Sequence, residues 1–384
     1  MYVTGQSGSV EGITMFDTSR RRLLQAMGVG GAATVAGCAG SAPVEEDPTQ
    51  TETNSPGPAQ TDVQSVAADP TDVPDPIDRD EPKTHQVTLE VEELTAEVEP
   101  DVTYKFLTFD GQVPGPMIRV RQGDTVELTV DNLPDNMMPH NVDLHAVYGT
   151  GGGAVATTAA PGEQNKMKFQ AKYPGSFIYH CAVPRLDYHI SAGMFGMIVV
   201  EPKGGLPEVD REFYLGQHEL YTDKETGKKG HHKHNMDAMV DENPDYVLFN
   251  GGKYAWAAAN EGPMTAEVGE TVRVFMVCGG PNVSSNFHPI GNVWSRAYRD
   301  GGLPEDGDFE GYAERNIQTM KVPPGSCMIG EMEMEVPERI KLVDHALSRV
   351  RHKGLLAEID VEGETNEAVY DPDFGGTSQD GPMY

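Results

Sequence analysis

Short segments in which hydrophobic and polar residues alternate make up most of the chain beyond residue 84. These segments are rich in β-branched and aromatic residues and are separated by Gly, Pro, Asn and Asp; examples are HQVTLEVEEL, TYKFLTFDG, MIRVRQGDTVELTVDN and FIYHC. Alternation with a period of two is typical of β-strands that turn one face to a core. A helical period is weak outside residues 236–242. The pattern predicts an all-β protein of the sandwich type.

Two pairs of similar segments indicate an internal repeat. GPMIRVRQGDTVELTV at 115–130 matches GPMTAEVGETVRVFMV at 262–277 with one gap. PGSFIYHCA at 174–182 matches PERIKLVDHAL at 337–347, which aligns His180 with His345 and Cys181 with Ala346. Repetition of this kind predicts two copies of one structural unit. We therefore expect two tandem domains, residues 84–203 and 204–362, followed by an extended C-terminal arm over residues 363–384.

The first 83 residues differ in composition from the rest of the chain. Three consecutive arginines at 20–22 precede a run of small apolar residues that ends in VAGC, which predicts a twin-arginine export signal over residues 1–38. Cys38 is then a candidate for lipid attachment, and either Met1 or Met15 is the start. Residues 39–83 are rich in Pro, Asp, Thr and Glu and predict a flexible acidic tether. We expect an exported protein, either on the outer face of the cytoplasmic membrane, where a lipid could anchor it, or in a periplasm-like space.

The charge of the chain restricts its partners. It has 60 acidic and 29 basic residues and a formal net charge of −31, which argues against a nucleic-acid partner. Such a charge favours a salt-adapted surface, with a binding surface for cationic partners as the alternative. The four cysteines are too few for a disulfide framework. Cys278 and Cys327 have no nearby histidine and are predicted to fill the core.

Residues 177–196, FIYHCAVPRLDYHISAGMFG, concentrate side chains that bind metals. Cys181, His189 and Met194 offer a thiolate, an imidazole and a thioether, and the earlier segment PHNVDLH offers His140 or His145. Two His and one Cys with a weak Met ligand are typical of electron-transfer copper sites. A buried structural Cys with unrelated histidines is one alternative. A zinc site is another, although one Cys with one Met does not resemble the structural zinc sets.

The alternation of side chains along a strand sorts these ligands into two groups. His180 and Cys181 are adjacent, and His140 and His145 are five residues apart, so each pair points to opposite faces of a regular strand. Asp143 shares the face of His145. The inward group is His140, Cys181, His189 and Met194, and the outward group is His145 and His180 with Asp143. The His180–Cys181 peptide would then join two metals by a short covalent path.

The motifs PHNVDLH, YHCAVPRLDYHISAGMFG, SSNFHPIG and LVDHALSRVRHKG together resemble those of copper-containing nitrite reductases. The resemblance extends from about residue 85 to residue 362. The spacing from Cys181 to His189 is similar to one branch of that family, and the export signal and acidity resemble its haloarchaeal members. The resemblance implies two tandem cupredoxin-type Greek-key β-sandwich domains in a homotrimer. It also implies dissimilatory reduction of nitrite to nitric oxide with one electron and two protons.

The same resemblance implies a role for each matching residue and two coppers per subunit. Asp143 and His288 correspond to the pair that holds and protonates substrate, and Ile290 to the apolar residue that crowds the bound anion. A small redox protein, a cupredoxin or a cytochrome, would supply the electron, which would pass from the type 1 to the type 2 copper through Cys181 and His180. The implied ligands are His140, Cys181, His189 and Met194 for type 1 copper, and His145, His180 and the His345 of a neighbouring subunit for type 2 copper.

Two other functions fit part of the pattern. A multicopper oxidase needs paired His-x-His motifs and a His-Cys-His run, but Ala182 follows Cys181 here. A lipid-anchored cupredoxin that only carries electrons would leave the outward histidines, His288 and His345 without a use. The number of bound coppers distinguishes the three functions. The segment HHKH at 231–234 has no partnering Cys and is predicted to be a solvated loop rather than a metal site.

Overall fold

Residues 64–375 are described by a computed structural model, and their strands form two successive β-sandwiches. The first sandwich includes a short 3₁₀ turn at Thr150–Gly153 and two helices, α1 (Ala154–Thr157) and α2 (Leu186–Ser191). Its strands are β1 (Thr84–Glu99), β2 (Val102–Phe109), β3 (Ile118–Arg121), β4 (Thr125–Asn132), β5 (Asp143–Leu144), β6 (Gln164–Gln170), β7 (Gly175–His180) and β8 (Phe195–Glu201).

The second sandwich follows directly and has three short helices, α3 (Met236–Val240), α4 (Phe309–Tyr312) and α5 (Ser348–Lys353). Its strands are β9 (Arg211–Leu220), β11 (Tyr246–Phe249), β12 (Met264–Glu267), β13 (Thr271–Gly280), β14 (Ser285–Ile290), β15 (Trp294–Arg299), β16 (Glu314–Ile317), β17 (Met320–Val322), β18 (Ser326–Glu333), β19 (Glu338–Asp344) and β20 (Ala357–Glu362). Strand β10 (Gly230–His232) lies between β9 and β11 in the sequence but joins a sheet of the first sandwich, beside β2.

The order of strands repeats from one sandwich to the other. The first has sheets ordered β2-β1-β4-β6 and β3-β8-β7-β5, and the second contains the runs β11-β9-β13-β18 and β12-β20-β19-β14. The parallel pairs also correspond, since β1 with β4 matches β9 with β13, and β3 with β8 matches β12 with β20. The predicted all-β fold of two tandem domains is confirmed. His180 ends β7 and His345 directly follows β19, so both lie at the same end of corresponding strands.

The burial of the strands explains their sequence pattern. Strand β4, TVELTVDN, alternates strictly between half-buried and buried positions, as expected for a strand with one face in the core. Strand β8 is buried along its whole length. Residues of the second sandwich such as Val277 and Ile329 belong to the same apolar cluster as the first core, which explains why β8 lacks a polar face.

A chain of buried ion pairs connects the two domains. Arg119 of β3 contacts Glu201 at 2.5 Å and Glu212 of β9 at 2.5 Å. Arg273 of β13 contacts Glu212 at 2.7 Å and Glu331 of β18 at 2.7 Å. Buried charges of this kind persist when each has a partner. The network therefore favours one fixed arrangement of the two sandwiches.

Residues 64–83 lie against the first sandwich. Val66 and Ala68 are buried, and Val113 exchanges backbone hydrogen bonds with both, of 2.8 and 3.1 Å. Arg79 forms an ion pair with buried Asp124. The tether predicted for residues 39–83 therefore does not extend over residues 64–83. Its first part, residues 39–63, and the predicted export signal lie outside the described residues.

The segment that contains HHKH is not the solvated loop expected from the sequence. Its residues 230–232 form β10, which pairs in parallel with β2 and places His231 opposite Thr103. His232 is buried, with only 1% of its surface exposed. The prediction was wrong because residues 230–232 pair with the free edge of β2. That edge is formed by tertiary structure and cannot be recognised from the local sequence.

The predicted helical segment at 236–242 corresponds to α3, and the side chain of Asn235 accepts from two amides at its N-terminus. Beyond β20, residues 363–375 add no strand, and Phe374 is 91% exposed. Residues 376–384 lie outside the described range. Among the described helices, none has the length and apolar character needed to cross a bilayer.

Candidate metal centres

The first cluster lies at one end of the first sandwich and joins three separate segments. Cys181 directly follows β7, His189 lies in α2, and His140 pairs with Ala159 through two backbone hydrogen bonds of 3.0 and 2.8 Å. The Cys181 sulfur lies 3.5 Å from His189 Nδ1 and 3.8 Å from His140 Nδ1. All three side chains are buried, and their ligand atoms lie within 4.8 Å of one another.

Met194 lies beside this cluster. It directly precedes β8 and is fully buried. Its carbonyl accepts from the Cys181 amide at 3.1 Å, and its own amide donates to His189 O at 3.0 Å. The backbone of the strand–helix–strand unit thus holds the Cys, His and Met positions of the sequence motif together.

The protonation of the cluster suits a soft metal ion. Burial raises the pKa of the Cys181 thiol to about 11, and no described side chain carries a cation that would ionise it. Burial, followed by the neighbouring His140, lowers the pKa of His189 to about 4, so both imidazoles are neutral near pH 7. A bound cation is therefore the group that would favour the thiolate. One thiolate, two neutral imidazoles and a thioether fit copper.

Two polar residues around this cluster were not found from the sequence. Asn141 Oδ1 accepts from the Ala182 amide at 2.7 Å and lies 3.8 Å from the Cys181 sulfur. The carboxylate of Glu93 lies 3.1 Å from His140 Nε2. Glu93 is 47 residues from its partner in the sequence, so no local pattern could identify it. Asn141 is adjacent to His140, and its polarity in a buried segment was the available indication.

The second cluster occupies the opposite face of β7. Asp143 of β5 pairs directly opposite His180, and His145 Nε2 lies 3.1 Å from His180 Nε2. These ligand atoms lie within 4.8 Å of one another. His180 Nδ1 donates to Cys181 O at 3.1 Å, which leaves its Nε2 unprotonated and directed toward His145. Two imidazole nitrogens that converge in this way can hold one metal ion.

Burial lowers the pKa of His180, and the neighbouring His145 adds to the effect. His180 is nearly enclosed, whereas His145 is exposed and lines an open hollow of about 240 Å³ with Tyr148, Tyr173 and Phe177. A metal held there would remain accessible from outside the subunit. An open coordination position is the usual feature of a catalytic metal site.

His288 and His345 form a separate pair in the second sandwich. Their ring centres are 5.2 Å apart. His288 on β14 donates from Nδ1 to Gln318 O at 2.5 Å, and His345 donates its amide to Asn286 O at 2.8 Å. His345 is exposed and lines an open hollow of about 410 Å³, together with Asn286, Gln318 and Thr319. Ile290 ends β14 and is half-buried.

Asp344, the residue before His345, anchors this loop and was also missed from the sequence. Its Oδ1 accepts from the Asn286 amide at 3.1 Å, from Asn286 Nδ2 at 2.9 Å and from the Ala346 amide at 2.9 Å. Its Oδ2 accepts from Arg349 at 2.5 Å. Asp344 is fully buried, so these contacts hold the backbone on both sides of His345.

Within one chain, the structure does not bring all the predicted residues of the second site together. Among residues 64–375, the cluster of Asp143, His145 and His180 contains no side chain of the second sandwich. His345 and His145 line different hollows. The three-histidine set expected from the sequence is thus split over two surfaces of the subunit.

Comparisons with known proteins show which family of copper proteins this chain is similar to. A family model described as "Multicopper oxidase" matches residues 90–205. A copper-containing nitrite reductase of Neisseria meningitidis is 43% identical over 83% of this chain and 79% of its own length. A second from Cereibacter sphaeroides is 33% identical over 74% of this chain and 78% of its own length. The solved copper nitrite reductase of Nitrosomonas europaea has a TM-score of 0.64 and 32% identity, covering 74% of this chain and 95% of that one.

Proposed function

The chain belongs to the copper-containing nitrite reductase family, and from this premise we propose that it uses two coppers per subunit to reduce nitrite to nitric oxide. Nitrite, two protons and one electron give nitric oxide and water. One observation supports the proposal most strongly: two clusters of metal ligands lie on opposite faces of one strand end and are joined by the His180–Cys181 peptide. Such a connection would let an electron pass from one metal to the other, which a carrier with a single metal does not require.

We assign His140, Cys181, His189 and Met194 to the first, type 1 copper. When bound, the two metals would supply the one-electron chemistry, with electron transfer at the first site and binding of the anion at the second. The protein keeps the first ligands dry and close together. The hydrogen bond from His180 Nδ1 to Cys181 O links the two ligand sets and fixes the tautomer of His180.

Asp143 and His288 are the groups that we propose for holding the anion and supplying its protons. Asp143 belongs to the cluster with His145 and His180, so its carboxyl lies within reach of anything bound there. His288 donates a hydrogen bond from Nδ1 to the Gln318 carbonyl, so Nε2 is the nitrogen that can face the anion. Ile290, two residues further along β14, would present an apolar surface that restricts the pose of the anion.

We propose that the second, type 2 copper completes its ligands between subunits. His145 and His180 come from one subunit, and the partner subunit's His345 supplies the third imidazole. The support is the separation of His345 from His145 within one chain, together with the exposure of both. Contacts of this head-to-tail kind satisfy every such site when they close into a ring. We propose a ring of three subunits, a homotrimer, and this number is implied by the resemblance to the family.

The location and partners of the enzyme are further parts of the proposal. The arginine-rich N-terminus and Cys38 support export and lipid attachment on the outer face of the cytoplasmic membrane. The net charge of −31 supports a salt-adapted, haloarchaeal-type surface without a nucleic-acid partner. The electron donor would be a small redox protein, a cupredoxin or a cytochrome.

Copper counting combined with nitric oxide production tests the proposal. The wild type should hold two coppers per subunit and release nitric oxide from nitrite with a chemical electron donor. His345→Ala should hold about one copper and lose activity, because the second site would lack one of its three imidazole ligands. The visible absorption of the thiolate site should remain. His352→Ala, an exposed histidine in α5, is the matched control and should behave as wild type.

Three results would contradict parts of this proposal. If His345→Ala keeps both coppers and full activity, His345 is not a ligand. If the wild type holds one copper and makes no nitric oxide, the protein is an electron carrier. If it holds more than two coppers per subunit and reduces oxygen, it acts as a multicopper oxidase.

A further inference from the structure

A buried carboxylate lies behind one ligand of the first copper site. Glu93 is in the middle of β1, and only 2% of its side chain is exposed. Its Oε1 lies 3.1 Å from His140 Nε2 and accepts from the amides of Met137 and Met138, both at 2.9 Å. Three N–H donors therefore converge on one oxygen. Such a set stabilises the ionised form of a carboxyl group.

The second oxygen of Glu93 has a different kind of partner. Lys105 Nζ donates to Oε2 at 2.7 Å, and the lysine side chain is 40% exposed. The ion pair is thus buried on the side of the carboxylate and solvated on the side of the ammonium group. Water and salt screen the positive charge of the exposed Lys105 more strongly than the negative charge of the buried Glu93. The ligand His140 faces a carboxylate whose negative charge is only partly balanced.

The two histidines of this site differ in their outer contacts. His189 Nε2 has no hydrogen-bond partner among residues 64–375, and the ring of His189 packs edge-on against Tyr188. His140 is the ligand that is both buried and hydrogen-bonded to a charged group. A carboxylate that accepts from the far nitrogen of a ligand imidazole fixes the ring and increases its basicity.

We propose that Glu93 positions His140 and tunes the reduction potential of the first copper, and that Lys105 sets how much of the negative charge of Glu93 acts on the metal. This inference rests on the proposed function only in that His140, Cys181 and His189 hold copper. A nearby negative charge favours the oxidised, more positive metal. Glu93 therefore lowers the potential, and Lys105 raises it again by opposing Glu93.

The loop that carries His140 has other supports, which makes the charge of Glu93 separable from its structural contacts. Asn132 Nδ2 donates to Met138 O at 3.0 Å, and Asn136 Nδ2 donates to Val91 O at 2.7 Å. In Glu93→Gln an amide oxygen can still accept from the two loop amides, while the negative charge is lost. This substitution tests the charge, whereas Glu93→Ala would also remove the support.

The test is a redox titration of the copper-loaded protein, followed by the visible band of the thiolate–copper site. In Glu93→Gln the reduced state should be favoured by about tenfold over wild type, which corresponds to about +59 mV for one electron. In Lys105→Met the shift should have the opposite sign. Lys168→Met removes an exposed ion pair with Glu127 on β6 and β4 of the same sheet, and it should leave the potential unchanged.

Opposite signs for the two variants distinguish tuning from structural damage, because a loosened site would not respond to the sign of the charge removed. An unchanged potential in Glu93→Gln, or shifts of the same sign in both variants, would overturn the proposal. If Glu93→Gln fails to bind copper, the reduction potential of Lys105→Met tests the proposal alone. A shift in that potential no larger than the shift in Lys168→Met would overturn the proposal. A wild type without a thiolate–copper band would instead refute the proposed function.

Discussion

Replacement of Asp344 should detach His345 from its position while leaving the first copper site intact. Asp344 is fully buried and accepts from Asn286, Ala346 and Arg349. In Asp344→Ala the guanidinium of Arg349 loses its charged partner, although it keeps the Ser284 carbonyl at 2.6 Å. Arg349 is partly exposed, so the cost arises mainly from the several donors that lose one acceptor together, and we expect about 3–5 kcal/mol in the free energy of unfolding.

A conservative variant separates the contribution of the charge of Asp344 from that of its hydrogen bonds to the backbone. Asp344→Asn retains an oxygen that can accept from the amides of Asn286 and Ala346, and it loses only the charge opposite Arg349. Its expected cost is about 1–3 kcal/mol, the range for a hydrogen bond to a charged group. Asp360→Ala is the matched control, because Asp360 pairs with Arg339 at 2.7 Å on the neighbouring strand but is partly exposed. It should cost less than about 1 kcal/mol.

Urea unfolding of the metal-free protein measures these free energies, with fluorescence and circular dichroism recorded together to verify a single transition. Copper binding provides the functional readout. If His345 is a ligand as proposed, the copper affinity of the second site should fall about 10–100-fold in Asp344→Ala, because Asp344 holds the backbone on both sides of His345. The visible band of the first site should remain unchanged.

Asp344 does not have this role if the three variants depart from the expected order of destabilisation, with Asp344→Ala above Asp344→Asn and Asp360→Ala lowest. Wild-type affinity for the second copper in Asp344→Ala would also contradict this role. In that case the loop after β19 holds its conformation without the buried carboxylate, or His345 is not a ligand.

Two further predictions concern the buried charges and histidines. Arg119→Met should destabilise the protein by about 3–5 kcal/mol because it leaves Glu201 buried without its cation, and adding Glu201→Met should recover most of that loss in urea unfolding. Burial lowers the pKa of His218, whose Nδ1 donates to Ser191 O, to about 4, below its usual 6.5. Its contribution to stability is therefore complete above about pH 6.5 and is lost as the pH falls toward 4, by about 3 kcal/mol. His218→Phe should flatten the stability profile in this range, and identical profiles would contradict the assignment.

The sandwich fold and the grouping of ligands were accessible from the sequence because both depend on the two-residue period of strands. His180 ends β7 and Cys181 is the next residue, so their side chains point in opposite directions and lie in different clusters. The composition of residues 39–83 was less informative. Pro and acidic residues predict a tether, but Val66 and Ala68 find backbone partners beside Val113 that only the folded domain provides.

Glu93, Asn141 and Asp344 could not be assigned roles from spacing, because each acts through a hydrogen bond to a partner that tertiary structure brings near. Glu93 and His140 are 47 residues apart, and Asp344 and Asn286 are 58 apart. Period and motif identify side chains that point to a common face. They do not identify the hydrogen-bond acceptor of the imidazole nitrogen that faces away from the metal, because that acceptor is brought near by the packing between strands.

The location of His345 limits what one subunit can do. The repeat places it at the same end of β19 as His180 on β7, so both domains offer an imidazole at corresponding positions. Yet His345 faces a hollow with Asn286 and Gln318, while His145 faces another with Tyr148 and Tyr173. The cluster within one subunit offers two imidazoles and one carboxyl group, and a third imidazole would make the set typical of catalytic sites. If the third comes from a neighbour, loss of the second copper and dissociation of the subunits should occur together on dilution, while the first copper remains bound.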